Sequence, residues 1–267
     1  MNTISELMNL KGRRALVTGA SGHLGRVIAS SLAQLGADLI LIDHPNSDLE
    51  LLGKELSKEW RIETESHYCD LEIQKDRSEL IGKLLLSNSR LNIIVNNAAF
   101  TGSKDLEGWA VSFEKQSLDT WRRAIEVNLT AIFELCQGLS PVLKNSDGAT
   151  IVNIASIYGK YGPDLSLYDG TNMGNPAAYG VSKGGLIQLS RWLATVLAPE
   201  VRVNTISPGG IFRNQPQEFV KKYESKTPLN RMASEEDFLG VVAYLCSDLS
   251  KYVTGQDISV DGGWGIW

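Results

Sequence analysis

The sequence predicts an α/β fold, a doubly wound sheet of about seven parallel strands with helices on both faces. Three observations carry this expectation. Apolar runs of strand length recur along the chain, bounded by glycine, asparagine or aspartate. Segments of helical spacing separate them, so strand and helix alternate throughout. The first strand also passes through a glycine turn, TGASGHLG at 18–25, directly into a helix.

Taken in order, residues 1–12 form a lead-in. Residues 14–18, RALVT, read as a buried strand, and LGRVIASSLAQLG reads as a helix stopping at Gly36. ADLILI is the second strand, ending at Asp43; residues 48–58 are helical; ESHYCD holds the third strand and ends at Asp70. Residues 73–87 are helical, LNIIVNNAA is the fourth strand, 117–144 a long helix and GATIVNIAS the fifth strand. A further helix is entered after Pro176. VRVNTISPGG, a helix over 234–247 and GQDISVDGG complete the pattern. Crossovers of this kind are right-handed and leave ligands at the C-terminal ends of the strands. No linker or shift of composition divides the chain, so one domain is expected over 1–267.

Composition narrows the function. Of 267 residues, 43 % are hydrophobic and 21 % charged, as in soluble globular proteins. The net charge of -5, with no Lys/Arg cluster, argues against a nucleic-acid partner. Cys69, Cys136 and Cys246, like His23, His44 and His67, have no ligand spacing, so neither a metal nor a disulfide framework is expected. MNTISELMNLKGRR lacks the apolar core of a secretory signal, and no apolar run is long enough to span a membrane. A cytoplasmic protein is expected.

Two stretches carry chemistry. Strand, glycine turn and helix form the context of a dinucleotide site: glycines admit a pyrophosphate to the backbone, and the helix N-terminus offers free N–H groups. Glycines also make tight turns that bind nothing. Asp43 lies eighteen positions beyond Gly25, where an acid can accept hydrogen bonds from an adenosine ribose and repel a 2′-phosphate. That favours NAD over NADP; the alternative is an Asp that caps its loop. In AAYGVSK at 177–183, Tyr179 and Lys183 are four apart and share a helix face. A free phenol has a pKa of about 10, and a neighbouring cation lowers it, making a proton-transfer pair.

With these pieces in order, the chain resembles the compact, single-domain short-chain dehydrogenases/reductases, whose fold is Rossmann-type. The resemblance rests on TGASGHLG, Asp43, Asp70-Leu71, NNAA at 96–99, Asn128 in EVNLTAIF, IVNIAS ending at Ser156, YGVSK, SPGGI at 207–211 and TGQDISVDGG. It implies that Tyr179 is the general acid or base and that Ser156 binds the same substrate oxygen. Lys183 would hold the nicotinamide ribose and lower the Tyr179 pKa, and Asn128 would hold a water that links Lys183 to solvent. It implies a cofactor site of Gly19, Ser21, Gly22, His23, Leu24 and Gly25 around the pyrophosphate. Asp70 and Leu71 would flank the adenine, Asn97 and Ala98 the adenosine-side ribose, and Pro208, Gly209 and Ile211 the nicotinamide. A homodimer or homotetramer is also implied.

Four departures stand out. The glycines are spaced G-x-x-G-x-x-G, commoner in the longer, sugar-nucleotide branch. Ala99 replaces a usual Gly. Ser156 precedes Tyr179 by twenty-three residues, about twice the family's gap, which leaves an insertion at 157–176. Arg213 stands where a Thr is common. The insertion, bearing Tyr161, Asp164, Tyr168, Asp169, Thr171 and Asn172, and the loop 100–116, bearing Trp109 and Phe113, lie on the substrate side. Their polar and aromatic content suits a sugar-derived small molecule, acidic or nucleotide-linked among the options, with Tyr168 and Trp109 as contacts. Arg213 or Arg231 could pair with a carboxylate or phosphate on it. The stretch SLYDGTNMGNPAAYGVSK resembles dehydrogenases of bacterial surface-glycan and flagellin modification. The alternative is a solvated loop against a neighbouring subunit. The apolar tail, DGGWGIW, is expected near an interface or the cleft, or packed on its own domain.

The expected function is interconversion of a secondary alcohol and a ketone with NAD. The alternatives are an epimerase or dehydratase that retains its NAD, and a cofactor-binding sensor without turnover.

Overall fold

The computed structural model describes residues 2–87, 90–102 and 106–267; residues 103–105, within the substrate-side loop, fall outside the description. The elements in order are α1 (Ile4–Met8), β1 (Arg14–Thr18), α2 (His23–Gln34), β2 (Asp38–Asp43), α3 (Leu49–Trp60), β3 (Thr64–Tyr68), α4 (Gln74–Leu86) and β4 (Ile93–Asn96). There follow α5 (Leu118–Ile125), α6 (Ala131–Lys144), β5 (Ala149–Ile154), α7 (Ala177–Val196), β6 (Val201–Pro208), α8 (Gln217–Lys226), α9 (Leu239–Cys246) and β7 (Asp257–Val260). The seven strands form one parallel sheet in the order β3-β2-β1-β4-β5-β6-β7.

Alternation along each central strand divides the core in two. Ala15 and Val17 of β1, Leu39 and Leu41 of β2 and Ile93 and Val95 of β4 face the side covered by α2, α3 and α9. Leu16, Ile40, Ile42 and Ile94 face the side covered by α4, α6 and α7. Burial on both faces explains why these strands read as unbroken apolar runs. The edge strands β3 and β7 are only partly buried, and TESHY and DISV are correspondingly polar.

The fourth strand is shorter than its apolar run because Asn97 and Ala98 leave the ladder. Their N–H groups donate to Thr18 Oγ1 at 3.0 and 3.1 Å, and Asn97 Nδ2 donates to the Thr18 and Gly19 carbonyls. The single helix expected at 117–144 is α5 and α6 joined by a π-helical turn, Glu126–Thr130. Pro141 lies inside α6. Proline removes the N–H that Gln137 would receive, and Ser140 Oγ donates to that carbonyl instead, at 2.9 Å. The helix expected at 234–247 starts as a 3₁₀ turn, Glu235–Phe238, before α9. Helix α8 has no counterpart among the expected elements.

The insertion is a docked segment. Leu167 is fully buried against Phe219 and Tyr223 of α8, and Lys222 Nζ donates to the carbonyls of Ser166 and Asp169. The tail packs on its own domain through Trp264, stacked on Tyr223 at 6.0 Å, while Ile266 and Trp267 remain exposed.

Candidate active site

The strand order reverses between β1 and β4, opening a crevice at their C-terminal ends. Gly19 begins the glycine turn at φ +63, where a side chain would meet the Ala98 backbone at 2.8 Å. Gly25 lies in the first turn of α2, directly on Gly19: a Cβ there would fall 1.9 Å from the Gly19 carbonyl oxygen. The middle glycine is freer, its Cβ 3.3 Å from the same atom, and it caps the N-terminus of α2. The unusual spacing therefore keeps the two close approaches and leaves the third position open.

A cavity of about 700 Å³ extends from this turn. Gly19, Ser21, Gly22, His23, Leu24, Gly25, Asp43, Asp70, Leu71, Asn97, Ala98, Pro208, Gly209 and Ile211 line it, as do Ser156, Tyr179 and Lys183. Residues drawn from across the chain, named separately on sequence, line one cavity. With backbone amides at a helix N-terminus, an acid beyond β2 and a hydroxyl pair opposite, the cavity has the shape and donor set for a nicotinamide dinucleotide. Also lining it are His44, Glu72, Thr101, Arg123 and Gln215, which no sequence motif singled out. Thr18, which laces β1 to β4, was visible only as the residue before the glycines.

Asp43 does cap its own loop. Its Oδ2 accepts from Ser21 N and Oγ at 2.7 and 2.6 Å, and its Oδ1 accepts from His44 N at 2.7 Å. A carboxylate has about four acceptor sites, so the three bonds fix its orientation and leave room for a ribose hydroxyl. Asp70 is likewise tied down, accepting from Glu72 N, with its other oxygen 3.5 Å from His44 Nε2. Leu71 is held by Arg77, which is 1 % exposed, donates to the Leu71 carbonyl and pairs with Glu126 and Glu134 at 2.6 Å each.

Ser156 follows β5 and Tyr179 and Lys183 lie in the first two turns of α7. Ser156 Oγ accepts from Tyr158 N at 3.2 Å, leaving its own proton to donate. Lys183 is 2 % exposed, and its Nζ donates to the Ile154 carbonyl at 2.8 Å. Burial lowers its pKa to about 8. Lys183 Nζ lies 5.9 Å from the ring centroid of Tyr179. Burial raises the phenol above its ordinary value, while the Ser156 hydroxyl and the Arg213 charge pull the other way.

Asn128 lies in the π turn, fully buried. Its Oδ1 accepts from Phe100 N at 2.6 Å, and its Nδ2 donates to Phe100 O and Ser182 Oγ. Both amide protons are committed, so the side chain braces the loop after β4 against α7.

A second chamber of about 330 Å³ adjoins Ser156 and Tyr179. Trp109 and Tyr168 line it; Trp109 is 4 % exposed and donates to Thr101 O. Tyr158, Asn175, Phe219, Tyr223 and Met232 join them. Both arginines make ion pairs within the chain. Arg213 lines the larger cavity and pairs with Glu235 at 3.0 Å, and Arg231 makes two 2.7 Å bonds to Asp237. Glu235 and Asp237, within the 3₁₀ turn before α9, pair with the two cations.

Among the described residues no helix is long and apolar enough to cross a membrane, and no group of His, Cys, Asp and Glu could hold a metal ion. All three cysteines are buried and unpaired.

Comparison with known proteins agrees with this architecture. The family described as enoyl-(acyl carrier protein) reductase, of the short-chain dehydrogenase type, matches residues 19–265. The chain is 30 % identical to the post-translational flagellin modification protein A of Campylobacter coli, over 96 % of this chain and all of that one. A short-chain dehydrogenase from Leptospira borgpetersenii, solved with NAD+ bound, is 31 % identical with a TM-score of 0.83, covering 99 % of this chain and 96 % of that one. RhlG of Pseudomonas aeruginosa, solved with NADP, is 28 % identical with a TM-score of 0.80, covering 97 % and 98 %. From its sheet order, its glycine turn and these matches, the chain is a member of the short-chain dehydrogenase/reductase family.

Proposed function

We propose that the protein is an NAD-dependent oxidoreductase that interconverts a secondary alcohol and a ketone on a polar, sugar-like substrate. The observation that carries this reading is the junction of the dinucleotide-sized groove with the Ser156–Tyr179 chamber. The nicotinamide, when bound, supplies or accepts the hydride. The chain's own residues handle the proton and the charge. Tyr179 gives its proton to the carbonyl oxygen in reduction and takes it from the hydroxyl in oxidation. Ser156, whose hydroxyl is directed toward the Tyr179 phenol, donates to the substrate oxygen as charge develops. Lys183, with a pKa near 8 and a fixed tether to Ile154, exchanges protons close to neutrality. With the Asn128 side chain committed, a water linking Lys183 to solvent would rest on the backbone of the π turn.

The NAD preference is supported by Asp43, whose charge is locked in place by Ser21 and His44. The polar substrate is supported by the hydroxyls of Tyr158 and Tyr168 in the chamber and by the likeness to a flagellin modification protein. The test is NADH formation against secondary alcohols and polyols. Tyr179→Phe should lower turnover by about 10²–10⁴-fold with NAD binding intact, and Asp43→Ser should admit NADP. Full turnover in Tyr179→Phe would defeat the mechanism, and unchanged exclusion of NADP would defeat the role of Asp43.

A further inference from the structure

The chamber beside Ser156 and Tyr179 is walled by Trp109, Phe219, Met173, Met232 and Tyr223. Among the described residues that line it, none carries a formal charge. Arg213, in the adjoining groove, bonds Glu235 through its Nε, and Arg231 is paired with Asp237. An anion entering such a chamber gives up water without gaining a counter-charge from the chamber's own walls, which is costly. It would also oppose ionisation of Tyr179, the form that alcohol oxidation requires.

The insertion nevertheless brings polar groups to the chamber. Tyr158 Oη and Tyr168 Oη are 2.9 Å apart, and Asn175 Nδ2 donates to Tyr168 Oη at 3.3 Å. A phenol has one proton to give and two lone pairs. If Tyr168 donates to Tyr158, the Tyr158 proton is left over; if Tyr158 donates, the Tyr168 proton is. Either way the chain of three ends in one free O–H donor beside spare acceptor sites. Burial and the neighbouring phenol raise the Tyr158 pKa, so the chain stays neutral and keeps its donor. A donor next to an acceptor matches an alcohol hydroxyl, which is both.

We infer that the substrate is uncharged and hydroxyl-rich, a neutral polyol or its ketose, and that Tyr158, Tyr168 and Asn175 read one of its non-reacting hydroxyls. This rests on the oxidoreductase reading and narrows it, setting aside acidic and nucleotide-linked sugars.

The experiment compares glucitol with gluconate, six-carbon chains that differ in charge, and includes cyclohexanol, a secondary alcohol with no second hydroxyl. It measures kcat/KM for NAD reduction and, by tryptophan fluorescence of the NADH complex, the Kd of each. Glucitol should exceed gluconate by about 100-fold or more in both readings, the equivalent of two factors of ten in affinity. Tyr168→Phe should raise the KM for glucitol by about tenfold, the loss of one hydrogen bond, and leave cyclohexanol unchanged. Gluconate used as well as glucitol, with turnover intact, would overturn this inference alone. An equal effect of Tyr168→Phe on glucitol and cyclohexanol would overturn the recognition by the insertion. Inertness of all three compounds, with cofactor bound, would overturn the oxidoreductase reading and this inference with it.

Discussion

Replacing Lys183 with Met would separate what this lysine does for chemistry from what it costs the fold. The side chain is 2 % exposed, its one hydrogen bond goes to the Ile154 carbonyl, and burial lowers its pKa from 10.5 to about 8. At 1.36 kcal/mol per pH unit, holding the charged form there costs on the order of 3 kcal/mol. The sign follows from linkage. Below pH 8 the lysine is protonated in both folded and unfolded chains, and the cost is fully present. Between about 8 and the unfolded value near 10.4 the unfolded chain binds more protons, so stability rises with pH. Methionine, of similar length, removes this titration; it also orphans the Ile154 carbonyl, a cost of about 1–3 kcal/mol independent of pH. Urea denaturation of wild type and Lys183→Met from pH 7 to pH 10, without cofactor, should give curves that do not run parallel. Wild type should gain up to roughly 3 kcal/mol on the variant across the window, and the variant should have no turnover at any pH. Parallel curves would refute the buried cation, whatever the activity.

The glycine turn and the arginine beside the groove make two further predictions. Gly25→Ala should abolish cofactor binding, measured by NADH fluorescence, because its Cβ would lie 1.9 Å from the Gly19 carbonyl and the turn must open; Gly22→Ala, with 3.3 Å at the same atom, should bind far better. Equal binding by the two would refute the close-approach account. Arg213→Ala removes a charge that favours the Tyr179 phenolate, so the rising limb of the pH profile for alcohol oxidation should move to higher pH with the KM for NAD unchanged. An unmoved limb would mean that Arg213 does not act on Tyr179.

The order of strands and helices was legible because a parallel sheet buried on both faces demands apolar runs, and helices between them demand a 3.6-residue period. TGASGHLG and YGVSK were legible because backbone approach to a phosphate and a shared helix face are local requirements, satisfied by residues close in sequence. The length of the insertion and its position before Tyr179 were equally plain. Tertiary structure alone decided the rest. That Arg213 and Arg231 are spoken for depends on Glu235 and Asp237, six to twenty-two residues away on another turn. That Lys183 faces Ile154 depends on how α7 lies on β5. The sequence could not show that Leu167 anchors the insertion on α8, a helix with no strong pattern of its own. Nor could it show that Tyr158, Tyr168 and Asn175 meet in a chamber without charge. Hydrophobic period and turn chemistry are local and survive in one dimension. Desolvation and the pairing of charges depend on which distant groups exclude water together, and only the folded chain determines that.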